Sequence, residues 1–191
     1  MSKATLAHAP ALTDEQIDRV LDATADSFVR QLRSPILHTP SEQELAYEEV
    51  TFPAIDGVAL EGWCLPAAGS EKLIIANHPM GFSRAGIPAH LEPWRSIWSS
   101  SGNAFEVNFI PDYKILHDAG YNVLAYDLRN FGLSGAANGG IASSGIFESR
   151  DVLGSLRYVR ARGDTRNMTI GLFSRCLGCS STFCAMTKAR L

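Results

Sequence analysis

Three short, nearly uninterrupted apolar runs constrain this chain more than any other feature: Lys72–Ala76, Asn122–Tyr126 and Met168–Phe173. Runs of this length fit strands buried on both faces of a parallel sheet. Parallel strands need crossover connections, and helical stretches lie between the runs as required. Asp112–Ala119 is one, ended by Gly120, and Phe147–Arg162 is another, with Val152, Leu153, Leu156 and Val159 on one face. A third helix is predicted to begin near Cys176 and to be still running at Leu191. The alternation predicts an α/β fold.

The start of the chain is different. Thr13 and Gln16 form a capping-box pair. Ile17, Val20, Leu21, Phe28 and Leu32 then recur at helical spacing, and Ser34–Pro35 and Thr39–Pro40 end the pattern. Glu48–Phe52 and Val58–Leu65 read as an antiparallel pair joined across Ala54-Ile55-Asp56-Gly57, whose Asp-Gly step favours a tight turn. These signals divide the chain into a helical arm, residues 1–45, and an α/β domain, residues 46–191. Residues 82–111 interrupt the domain with Trp94, Trp98, Phe105 and Phe109 among prolines and glycines. Two readings of this insertion are equally open: a lid or binding loop, or an ordered excursion that packs its aromatics on the domain.

Composition excludes several function classes. Seventeen basic against twenty acidic residues give a net charge of −3, and no basic stripe appears, so a nucleic-acid partner is not expected. The apolar runs are too short to cross a bilayer and no secretory leader is visible, so neither a membrane nor an export route is expected. Cys64, Cys176, Cys179 and Cys184 do not form a disulfide framework, which suggests free thiols and a cytoplasmic setting. No glycine-rich phosphate loop or metal motif is present, so no cofactor and no metal are expected. Oligomeric state is not readable.

The chemistry is carried by one segment. The run Met168–Phe173 leads into Ser174-Arg175-Cys176-Leu177-Gly178, and a helix leads out. A nucleophile elbow needs small residues two before and two after the nucleophile, and Ser174 and Gly178 supply them around Cys176. At a helix start, unpaired N–H groups and the macrodipole favour an anion, which suits a thiolate nucleophile. Two further segments accompany it. Asn77-His78-Pro79-Met80-Gly81 follows the first apolar run, and Asp127-Leu128-Arg129-Asn130-Phe131-Gly132-Leu133-Ser134 follows the second. Asp127 and Arg129 are expected to form a structural ion pair. Cys64 and Cys184, which lack the elbow context, are expected in the core.

Together these segments resemble the α/β-hydrolase superfamily, in its order of motifs, from about Glu48 to the end of the sequence. Residues 77–81 resemble its His-Gly-type oxyanion loop, with Pro79 in place of glycine, and residues 127–134 resemble its Asp-x-Arg-x-x-Gly-x-Ser signature. A cysteine at the elbow is similar to the dienelactone hydrolases. The resemblance implies hydrolysis of an ester, lactone, thioester or amide of a small molecule, with Cys176 as nucleophile and the backbone N–H groups of Leu177 and Met80 as oxyanion donors. It also implies an acid and then a histidine after the nucleophile, but residues 177–191 contain no Asp, Glu or His. The expectation is therefore the N-terminal part of a longer enzyme, inactive or nearly so as written. A non-catalytic binding module and an acyltransferase are the alternatives. A redox role for Cys176-Leu177-Gly178-Cys179 is disfavoured because little sequence follows it, and zinc because no second ligand pair exists.

Overall fold

The computed structural model describes residues 12–29 and 31–188, apart from the side chains of residues 27, 177–180, 187 and 188. The first helix, α1 (Asp14–Val29), is opened by the capping box read from sequence: the Gln16 N–H donates to Thr13 Oγ1 at 3.3 Å and the Thr13 N–H to Gln16 Oε1 at 2.9 Å. The helix stops short of Leu32. Its Ile17, Val20 and Leu21 side chains are exposed. The segment is fastened at its C-terminal end, where Phe28 O accepts the Ala142 N–H and the Arg33 guanidinium donates to the carbonyls of Gly132 and Ser134.

Strands β1 (Glu48–Pro53) and β2 (Ala59–Leu65) form the expected antiparallel pair. Strands β3 (Lys72–Asn77), β6 (Asn122–Tyr126) and β7 (Thr169–Ser174) are parallel, and the five-stranded sheet runs in the order β1-β2-β6-β3-β7. Period-two alternation sends Leu60, Cys64, Leu73, Ile75, Leu124 and Tyr126 into the core on one face, and Trp63, Leu65, Ala76, Val123 and Ala125 into the core on the other. Helix α4 (Ser149–Ala161) covers the first face with Val159 and Leu156. Helix α3 (Ile110–Asp118) covers the second with Ile110 and Tyr113. The central strand β6 is buried at every position, as its unbroken apolar sequence requires. Strand β7 is an edge strand here, and its residues are half-buried or exposed.

The insertion is ordered. It contains a short antiparallel ribbon of β4 (Gly86–Pro88) and β5 (Glu106–Asn108), with helix α2 (Trp94–Trp98) between them. Phe82 stacks on Phe109 at 5.7 Å between ring centroids, whereas Phe105 remains exposed. Some of its aromatics pack on the domain, and others wall a cavity described below.

Asp127 and Arg129 do not pair with one another. Asp127, fully buried at the end of β6, accepts the Arg84 N–H at 2.6 Å and the Leu133 N–H at 2.9 Å, and pairs with the buried Arg84 guanidinium. A Cβ on Gly132 (φ +46°) would lie 2.2 Å from the Asp127 carboxyl carbon, which explains glycine at that turn. Arg129 instead donates to Asp151 at 2.9 Å, to both oxygens of Asp56 at 2.7 and 3.0 Å, and to Asn138 at 2.9 Å. Asp56 meets the guanidinium as a two-oxygen fork, whereas Asp127 is already satisfied by Arg84 and Leu133. The network ties the β1–β2 turn to α4 and to the loop after β6.

The Arg129 guanidinium holds the Asp56 carboxyl down to about 2, while burial pushes that of Asp151 up to about 6 against the same cation. A depressed carboxyl contributes stability above its unfolded value near ~4, and that contribution is lost as pH falls through the folded value. Asp56→Asn is therefore expected to cost about 1 kcal/mol at neutral pH after allowance for solvent screening, and almost nothing near pH ~2. Urea unfolding at the two pH values checks this.

Candidate active site

Because β3, β6 and β7 are parallel, the loops that leave their C-terminal ends emerge at one edge of the sheet, where ligands bind in open α/β sheets. Two of them meet directly. Asn77, the last residue of β3, is in register with Ser174, the last of β7, and the Arg175 N–H donates to Asn77 O at 3.2 Å.

Cys176 lies between the end of β7 and the start of α5 (Leu177–Lys188). Its φ is +47°, in the left-handed region. Asn130 and Asn138 also occupy that region, where short polar side chains can compensate locally; a cysteine has no such compensation and forfeits about 1 kcal/mol or more. Backbone strain of this kind persists where surrounding structure enforces it, often at functional sites. The thiol is free and exposed.

The enforcing structure is visible. Ser174 Oγ and Thr182 Oγ1 are 2.7 Å apart, and Asn77 Nδ2 donates to both at 3.0 and 3.1 Å. This half-buried polar cluster clamps the strand before the elbow to the helix after it. Asn77 Oδ1 is buried with no hydrogen-bond partner among the described residues. On the other side, the Arg175 guanidinium pairs with Asp112 of α3 and lies over the rings of Phe109 (4.4 Å) and Phe173 (4.3 Å). Arg175 thus faces away as a brace while the next residue presents its thiol.

The loop after β3 is fixed by His78. Its Nε2 accepts the Leu128 N–H at 2.9 Å, which places the ring proton on Nδ1, and Nδ1 donates to Pro79 O at 2.7 Å. Complete burial pushes the imidazole pKa down, so the ring is neutral, edge-on to Phe131 at 5.4 Å between centroids. With both nitrogens engaged, His78 staples residues 78–80 to the end of β6 and has no nitrogen left for proton transfer. Met80 follows, half-buried. Of the other histidines, His38 is held between Glu42 (2.7 Å) and Glu106 (2.9 Å), His117 bonds Pro66 O, and His90 is exposed on the insertion. None of these bonds reaches the elbow. His8 lies outside the described residues, as do the side chains of Leu177 and Cys179, so the Cys176–Cys179 pairing is outside them too. Cys64 is buried as expected, whereas Cys184 on α5 is only half-buried.

An apolar cavity of about 320 Å³ opens beside Met80 and Gly81, walled by Gln31 and Leu32 before the domain and by Ile87, Trp94, Ile97 and Trp98 of the insertion. A second, of about 150 Å³, shares Ile87 and Trp98 with it. Among the described residues, no group of three or more His, Cys, Asp or Glu is placed to hold a metal, and no helix is long and apolar enough to cross a membrane.

The fold recurs in solved structures. Esterase Pf2001 of Pyrococcus furiosus is 24% identical, with 85% of this chain and 54% of that chain covered at a TM-score of 0.65. The fold is the α/β-hydrolase fold. An α/β-hydrolase from Penicillium sp. sh18, GrgF, is 18% identical over 74% of this chain and 41% of its own, with a TM-score of 0.52. DcsB, solved with a substrate analogue, is 16% identical over 76% and 42%, with a TM-score of 0.54. The chain thus spans about half the length of the α/β-hydrolase structures it matches. No protein-family model and no curated protein matches the sequence.

Within this α/β-hydrolase fold, sequence reasoning named Cys176, Leu177 and Met80 but missed what holds them. Thr182 carries no local signal, because it acquires its role only through Ser174 and through Asn77, 105 residues away. Asn77 and Ser174 had a signal in their positions at strand ends, but not in their mutual contact.

Proposed function

We propose that this protein is a cysteine-dependent acyl-transferring hydrolase of a small-molecule ester, lactone, thioester or amide. The observation that carries the reading is the free, exposed Cys176 thiol, held at φ +47° between a parallel strand and a helix. The thiolate sulfur attacks the substrate carbonyl carbon, and the carbonyl electron pair moves onto oxygen. The backbone N–H groups of Leu177 and Met80 stabilise that oxyanion. Collapse breaks the bond to the leaving alcohol, thiol or amine, which takes up a proton from water, and leaves a thioester on Cys176. Water completes hydrolysis; another nucleophile completes acyl transfer. No described histidine is positioned as the base, so the reading assigns these residues the nucleophile and the oxyanion donors.

Acylation by an activated ester requires no base for its leaving group, which makes it the appropriate test. With excess p-nitrophenyl hexanoate the protein is expected to release a stoichiometric burst of p-nitrophenolate and gain the mass of one acyl group. Met80→Pro, which removes the N–H, is expected to slow the burst by about 100-fold or more. Absence of a burst, with the protein folded, would favour the binding-module reading.

A further inference from the structure

The wall of the larger cavity points to the substrate. We infer that the cavity beside Met80 receives an uncharged, extended apolar acyl group, and that Trp98 sets the length it accepts. The inference rests on the acyl-transfer reading above and adds the substrate class.

Leu32, Met80, Ile87, Trp94, Ile97 and Trp98 give the cavity an apolar wall, with Gln31 its one polar lining residue and no charged side chain among them. A carboxylate or ammonium placed there would lose hydration with no counter-charge to replace it. An alkyl or aryl chain meets the opposite balance, since each methylene removed from water contributes roughly fourfold to binding. The cavity has the capacity for such a chain, at about 320 Å³. Its position supplies direction. Met80 and Gly81 belong to the loop that follows Asn77, and Asn77 O holds the Arg175 N–H immediately before Cys176. An acyl group whose carbonyl oxygen lies at the Met80 N–H therefore has its chain at the mouth of this cavity.

Trp98 and Ile87 stand between this cavity and the adjoining one of about 150 Å³, walled further by Phe82, Phe105 and Val107. The indole is the larger divider and sits at the end of a five-residue helix, α2. Removing it joins the two spaces into one longer channel. Specificity for chain length thus resides in the insertion and not in the sheet that carries the chemistry.

The test compares single-turnover acylation by p-nitrophenyl esters of acetate, hexanoate, octanoate, dodecanoate and the anionic monosuccinate. Hexanoate or octanoate is expected to acylate about tenfold or more faster than acetate or monosuccinate, a discounted form of the per-methylene gain because the cavity is partly open. Trp98→Ala is expected to move the optimum to dodecanoate. Ile97→Lys, at a position more than half exposed and so tolerant of the change, is expected to raise the monosuccinate rate relative to hexanoate by about tenfold. Equal rates across chain lengths, with no change in either variant, would overturn the inference while leaving the nucleophile reading intact. Binding separates the two further: octanamide, whose leaving amine needs a proton donor that no described residue supplies at the elbow, is expected to perturb the fluorescence of Trp94 and Trp98 without acylating the protein. If no ester acylates the protein but octanamide still binds, the nucleophile reading fails and the cavity assignment stands as a binding site. If octanamide leaves the fluorescence unchanged, the cavity assignment fails.

Discussion

Cys176→Ala is expected to remove acyl-enzyme formation altogether, and Cys176→Gly to do the same while leaving a more stable protein. The two effects have separate physical origins. The first is chemical, since no other described side chain occupies the elbow. Ser174 is engaged with Thr182 and Asn77 on the strand side, and Ser181 is buried within α5. The second comes from the backbone. An L-residue at φ +47° sets its Cβ against the neighbouring carbonyl, and glycine has no Cβ. Relief of that strain is worth about 1 kcal/mol, partly offset by the greater freedom of glycine in the unfolded chain. Alanine retains the Cβ and should not stabilise. The expected order in urea unfolding is glycine above cysteine and alanine, with the burst reduced to background in both variants. A glycine variant that is less stable than the parent would show that the elbow is unstrained.

The largest loss of stability is expected from Arg129→Leu. Arg129 and Asp151 are both fully buried, and the arginine also holds Asp56 and Asn138. Removing the cation leaves Asp151 buried and uncompensated, a change that typically costs about 3–5 kcal/mol. The pH dependence gives the mechanism a signature. Burial already raises the Asp151 carboxyl to about 6, and without Arg129 nothing opposes that push except the Arg129 backbone N–H that also reaches it. A carboxyl whose folded pKa exceeds its unfolded value near ~4 favours folding most at low pH, and that advantage disappears as pH rises through the folded value. The variant should therefore fall furthest below the parent near pH ~8 and recover part of the deficit near pH ~5. Pairing it with Asp151→Leu should restore much of the loss, because a buried ion pair replaced whole leaves no orphaned charge. A deficit independent of pH would mean that the arginine acts through packing alone.

The limits of sequence legibility follow from the range of the interactions. The three parallel strands were readable because burial on both faces leaves a mark within five or six consecutive residues, and Leu73, Ile75, Val123 and Leu124 carry it. The turn from β7 into α5 was readable for the same reason: Ser174, Cys176 and Gly178 lie within five positions. The Asp127–Arg129 pair was misread because proximity in sequence stood in for proximity in space. The true partners, Arg84 for Asp127 and Asp56 with Asp151 for Arg129, lie 43, 73 and 22 residues away. His78 could be placed in its loop, but its two hydrogen bonds, which remove it from proton transfer, depend on Leu128 and a particular turn at Pro79. The insertion was the least legible segment. Its aromatics divide between a stack on Phe109 and a cavity wall, and both uses look alike as a pattern of Trp and Phe.

The central claim is that Cys176 takes the acyl group, and the most direct measurement is where the acyl group lies. After brief exposure to p-nitrophenyl hexanoate, acid quenching and proteolysis, peptide mass spectrometry should find hexanoate on Cys176 and none on Cys64, Cys179 or Cys184. Hexanoate spread over several cysteines, or absent from Cys176, would contradict the account and leave the elbow a structural feature of a binding domain.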